Sequence, residues 1–148
     1  MEETPLWLSH HRPAHYHRCI RVGGARVCAR CLGLYPILFA LLALQMAMRL
    51  SHPLPLEGWW VMLLPVPALL DWARGRLAPS SGSNLSRLVT GALLGVALAR
   101  SLFLHFLRPF NVLSSAQLSF LALVFGLVEG VAWLKRRRGT DPFEGPHV

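Results

Sequence analysis

Residues 32–50 (LGLYPILFALLALQMAMRL) run for nineteen positions with one charge, Arg49, at the far edge. At 1.5 Å of rise per residue, a helix of that length crosses a hydrocarbon layer of about 30 Å. Pro36 falls in its first turn, where a missing backbone donor is tolerated. The stretch therefore predicts a membrane-spanning helix. Three more apolar runs follow, at 56–73, 85–107 and 112–134. The composition agrees: 53% hydrophobic and 15% charged residues, with a mean hydropathy of +0.43, are too apolar for an ordinary soluble domain. The expected fold class is all-α, a polytopic membrane four-helix bundle formed as one domain over 1–148. A Cys/His/Arg-rich segment (1–31) precedes it, and a basic, flexible tail (135–148) follows. No apolar run precedes residue 31, so the first helix is expected to act as its own insertion signal.

The second run is the irregular one. Pro65 and Pro67 remove backbone donors and should kink or break it, and a broken helix persists in lipid only where the freed carbonyls face protein, Ser/Thr groups or water. Residues 73–84 (ARGRLAPSSGSN) read as a loop, with Ser83 or Asn84 as the N-cap of the third helix.

Charge sets the expected orientation. Twelve of the fifteen basic residues lie in the leading segment (Arg12, Arg18, Arg21, Arg26, Arg30), the middle loop (Arg74, Arg76, Arg87) and the cluster Lys135–Arg138, whereas Arg49 and Arg108 edge the other two connections. The positive-inside rule then places both termini in the cytoplasm and the chain in the cell (inner, cytoplasmic) membrane. The same distribution argues against nucleic acid as the partner of the +8 net charge, since the bases sit at the ends of apolar runs rather than on a polar helix face. Gly91 and Gly95, and likewise Gly126 and Gly130, form GxxxG pairs that let helix backbones approach closely. Their expected uses are packing within the bundle, a homo-oligomer, or a membrane partner.

The chemistry concentrates in residues 10–35 (HHRPAHYHRCIRVGGARVCARCLGLY), which hold all three cysteines, four of the seven histidines and five arginines. Gly23-Gly24 is a turn signal that would fold Cys19 back towards Cys28 and Cys31. Thiols on the cytoplasmic side stay reduced, which disfavours a structural disulfide. Cys28-x-x-Cys31 is the close ligand pair of tetrahedral thiolate sites; Cys19 supplies a third sulfur and His15 or His17 a nitrogen, so a Cys3His zinc site is the leading reading. A thiol–disulfide pair and inert, buried cysteines are the alternatives, and the neighbouring arginines favour thiolate in both active cases. The histidine-rich juxtamembrane stretch also suits contact with anionic lipid. Polar residues at the same predicted membrane face are Asp71, Asn84, Arg87 and Glu129. Asp71 has an equal bland reading as an interfacial salt bridge to Arg74 or Arg87. Glu129 lies in an apolar run and needs a partner such as an arginine. Arg100 and His105 lie nearer the opposite face, where Arg100 is expected to snorkel or pair.

The runs RCIRVGGARVCARCLGLYP, LLDWARG and SGSNLSRLVTGALLG resemble the DUF2085 family of predicted integral membrane proteins over roughly residues 19–95. The resemblance points to Cys28, Arg30, Cys31, Gly33, Tyr35, Asp71, Asn84, Arg87 and Gly91, adding Arg30 and Tyr35 to the polar pocket. Many members carry a Cys-His near the start of the motif, where this chain has His10-His11-Arg12 and places Cys19 further on. The family implies a multi-pass membrane protein and no established reaction.

Taken together, the sequence predicts a small integral membrane protein with a cytoplasmic-face metal site beside a pocket for an anionic lipid or small anionic ligand. The competing functions are a thiol–disulfide or quinone-linked oxidoreductase using the CxxC pair, and an accessory subunit of a membrane complex. No phosphate-binding nucleotide loop, nucleophile elbow or HExxH is present, which argues against hydrolases and transporters powered by nucleotide.

Overall fold

The Cys/Arg-rich arm folds into a two-stranded hairpin. In a computed structural model, which describes residues 18–51, 55–78 and 82–138, strand β1 (Cys19–Val22) pairs antiparallel with β2 (Ala25–Cys28). The turn is Gly23-Gly24, with φ of +56° and +85°, the left-handed pair that a two-residue hairpin connection requires and that glycine adopts without strain. The register sets Cys19 opposite Cys28 and Arg21 opposite Arg26, with Ile20–Val27 and Val22–Ala25 between them. Because side chains alternate across a strand, one face carries the thiols and arginines and the other is aliphatic. The first seventeen residues, including His15 and His17, lie outside the described residues.

Among the described residues five helices follow: α1 (Ala29–Met48), α2 (Glu57–Leu63), α3 (Pro65–Leu77), α4 (Asn84–Leu107) and α5 (Val112–Arg137). Three of them, α1, α4 and α5, are long and apolar enough to cross a membrane. Helix α1 starts at residue 29 rather than 32, because β2 runs into it without a linker and Cys28 is its N-cap residue. Helix α4 begins as expected, with Ser83 Oγ accepting from the Ser86 amide at 3.1 Å. Helix α5 continues through three basic residues past the expected end at 134; cations in a last turn complement the carbonyl end of the helix dipole.

The proline-bearing run is two helices, not one. Each is too short to cross about 30 Å alone. Pro65 cannot donate to the carbonyl of Val61 four residues back, and the Gln117 side chain of α5 donates to that carbonyl instead, at 2.8 Å. Val61, Pro65 and Gln117 are all fully buried, so the break is repaired from inside the bundle. The run also extends past the expected end at 73, to Leu77. Its stop signal is Pro79: the preceding Ala78 is extended, at φ −139° and ψ 146°, as the residue before a proline prefers. Arg74 and Arg76 are therefore helical rather than in a loop.

Helix α4 is central. Its partner over most of its length is α1, and the two run parallel because their backbones interlock at glycines in rising order along both chains. A Cβ on Gly33 would strike the Leu88 carbonyl oxygen and lie 3.1 Å from the Ala92 nitrogen. One on Gly91 would strike the Arg30 carbonyl oxygen, and one on Gly95 would stand 2.7 Å from that of Leu34. The first GxxxG pair is thus a contact seam within the chain. The second is not: nothing lies within 4 Å of a Cβ built at Gly126 or Gly130.

The far ends of α1 and α4 are joined by a polar cluster. Arg100, 1% exposed, pairs with Glu57 at the start of α2, donates to the Leu50 carbonyl at 2.8 Å and to Gln45 Oε1 at 3.3 Å. Ser114 Oγ of α5 donates to the Ser101 carbonyl at 3.0 Å. The expected pairing of Arg100 is met, and it occurs by burial rather than by snorkelling.

Gly91→Val should force α1 and α4 apart and lower the thermal midpoint of the detergent-solubilised protein, with a loss of about 1–3 kcal/mol for an overpacked contact. Gly126→Val on the open face of α5 should leave the midpoint within experimental error. Equal effects from the two substitutions would contradict the seam.

Candidate functional site

At the end of the bundle where α1 and α4 begin, five elements bring charged groups together. The hairpin delivers Cys28 to the N-cap of α1, so Arg30 and Cys31 occupy its first turn. The Cys28 and Cys31 thiols are hydrogen-bonding neighbours, and Cys19 is close enough to act on Cys31 electrostatically. None of the three forms a disulfide. Cys28 is buried, whereas Cys19 and Cys31 are half-buried. Among the described residues, no group of three or more His, Cys, Asp or Glu side chains is gathered to hold an ion.

The predicted polar residues converge here with one exception. Arg30 pairs with Asp71 across α1 and α3, which replaces the expected Arg74 or Arg87 as the partner of that carboxylate. Asn84 Nδ2 donates to the Cys19 carbonyl at 3.3 Å, fastening α4 to the hairpin, and its Oδ1 accepts from Arg87 Nη1 at 3.3 Å. Arg87 is only 6% exposed. A Cβ built at Gly82 would be 3.3 Å from Arg87 Nη2 and 3.5 Å from Asp71 Oδ1, which puts these two groups side by side. Glu129 finds the arginine it needs in Arg76, whose Nε and Nη2 donate to the two carboxylate oxygens at 2.8 Å each. Tyr35 is the exception. It is half exposed and stacks on Phe39 at 6.2 Å between ring centroids. Five residues beyond Arg30, it is turned by roughly 140° about the helix axis and so leaves the Arg30 side.

These groups enclose a cleft of about 330 Å³ lined by Arg18, Cys28, Arg30, Cys31, Trp72, Arg76, Arg87 and Glu129. Arg18, Trp72 and Arg76 are members that sequence reasoning missed as site residues. For Arg76 the usable signal was Pro79, which marks how far α3 runs. For Arg18 it was the two-glycine turn, whose register returns the start of β1 to the start of α1. Arg18 reaches α3 as well, its Nη1 lying 3.9 Å from a Cβ built at Gly75. Four guanidinium groups from four parts of the chain thus face one volume, offset by the carboxylates of Asp71 and Glu129. Such an arrangement can hold an oxyanion: guanidinium groups present paired donors that match carboxylate and phosphate oxygens.

Residues 11–101 match the family described as Predicted membrane protein (DUF2085). The chain belongs to the DUF2085 family. The match takes in the hairpin, α1 to α3 and most of α4, and so includes every cleft residue but Glu129 of α5. No curated protein and no solved structure matches the chain. Membership of DUF2085 makes this a predicted membrane protein and carries no reaction with it.

Proposed function

We propose that this DUF2085 protein binds a phosphate- or carboxylate-type anion in the four-arginine cleft at the cytoplasmic edge of the membrane. The observation that carries the reading is the charge gathered at the cleft: among the described residues four guanidiniums meet the carboxylates of Asp71 and Glu129, and Arg87, buried beside Asp71, donates to the neutral Asn84 oxygen. Desolvated cations are costly unless anions accompany them, and a bound oxyanion would offset that cost.

The orientation follows from charge and helix order. The cysteine end holds Arg18, Arg21, Arg26, Arg30, Arg74, Arg76, Arg87 and the basic residues that end α5, which the positive-inside rule assigns to the cytoplasm. Helices α2 and α3 together bridge from the level of Arg100 to that of Arg87, a height of about 20 Å measured along α4. The chain then crosses four times, with both termini inside.

A second reading keeps the thiols as ligands. Cys28-x-x-Cys31, one helical turn apart at the start of α1, is the ligand pair that Cys19 and His15 or His17 would have to join for a Cys3His zinc site.

Phosphate titrated into the detergent-solubilised protein should bind saturably. Arg87→Gln should weaken it by about tenfold or more, the value of a charge-assisted hydrogen bond, while Arg21→Gln on the exposed hairpin should not; absence of saturable binding by phosphate, sulfate or a small carboxylate would end the anion reading. Elemental analysis of the purified chain should find about one zinc per chain, reduced by Cys28→Ser or Cys31→Ser, and a metal-free product would refute the second reading. An impermeant thiol reagent should label the cysteines only from the cytoplasmic side of sealed vesicles; labelling from the outside would invert the topology.

A further inference from the structure

The arginine cleft does not end at its own floor. A second, apolar groove of about 470 Å³ opens beside it between α3, α4 and α5, and the two share Arg30 and Trp72 as common wall. Apart from Arg30, every lining residue of the groove is apolar, among them Leu69, Trp72, Leu94, Leu121 and Phe125. The Trp72 and Phe125 rings stack at 5.0 Å between centroids to form one side of it.

The two volumes are stacked along the bundle axis. On α3, Leu69 lies seven residues from Arg76; on α4, Leu94 lies seven from Arg87; on α5, Leu121 lies eight from Glu129. At 1.5 Å per residue, each helix puts the apolar groove about 10–12 Å deeper towards the middle of the bundle than the charged cleft. A molecule filling both would have its charge at the membrane edge and its hydrocarbon running inward. Arg30 marks the junction: its Nη2 holds Asp71, and its buried Nε–H has no hydrogen-bond acceptor among the described residues.

We infer that the ligand of this protein is an anionic phospholipid, its phosphate held by Arg18, Arg30, Arg76 and Arg87 and one acyl chain laid in the groove between α3 and α5. This rests on the anion reading and adds the lipid to it. Charge complementarity selects the headgroup, because a zwitterionic lipid would bring its own cation among four guanidiniums. The depth of the groove selects a chain-bearing ligand over a free phosphate.

The test compares inorganic phosphate, short-chain phosphatidic acid and phosphatidylcholine of the same chain length, each titrated into the full chain in detergent. Phosphatidic acid should bind about tenfold or more tightly than phosphate and tighten further as its chains lengthen, since each added methylene gains van der Waals contact along the groove; phosphatidylcholine should bind more weakly than phosphatidic acid. Ala122→Trp, at an exposed position on the α5 wall of the groove, should remove the advantage of phosphatidic acid while leaving phosphate affinity as it was. Chain-length dependence in the unaltered protein decides the matter independently of whether that variant folds. Equal affinities for phosphate and phosphatidic acid would overturn the lipid assignment and leave the anion site standing. Equal affinities for the two lipids would overturn the headgroup selection. No binding by any of the three would overturn both.

Discussion

Backbone contact between α1 and α4 is the constraint on which the rest of the molecule hangs. In lipid, two helices gain nothing by hiding apolar surface from one another, so association depends on close van der Waals fit and on polar contacts. Gly33, Gly91 and Gly95 supply the fit, each offering a hydrogen where any other residue would push a carbonyl away. Once that pair is set, its two ends are fixed in space. The hairpin is anchored above one end by the Asn84 contact to the Cys19 carbonyl, and the Arg100 cluster closes the other.

The remaining helices are held by directional contacts rather than by glycine fit. Arg30–Asp71 joins α1 to α3, Arg76–Glu129 joins α3 to α5, Arg100–Glu57 joins α4 to α2, and Gln117 joins α5 to the break after α2. Charges at membrane depth are expensive and pair or mark function. Here the buried far-end charge, Arg100, is matched by Glu57, whereas among the described residues the cleft at the cysteine end holds more guanidiniums than carboxylates. That imbalance separates the end that only holds the bundle from the end proposed to bind a ligand.

Much of this was legible in the residues and some was not. The nineteen-residue apolar run 32–50 announces a spanning helix, Gly23-Gly24 announces the hairpin, and Pro65 announces the break, because each rests on a local rule of length or backbone geometry. Glu129 announced its need of an arginine but not which one, since Arg76 belongs to a stretch rich in turn residues and is helical only because nothing stops α3 before Pro79. Gln117 was silent: an amide in an apolar helix looks like any other until the open Val61 carbonyl lies opposite. Tyr35 shows the reverse error, a residue close in sequence to the site but carried to another side by helical rotation.

Arg30 occupies both frameworks at once. Its carbonyl oxygen is the surface on which Gly91 rests, and its guanidinium is the wall between the charged cleft and the apolar groove. Enlarging residue 91 would press on both the carbonyl and the Cγ of residue 30 and so displace the guanidinium from behind. Position 91 is therefore constrained twice, once by the backbone seam and once by the guanidinium whose main chain it supports.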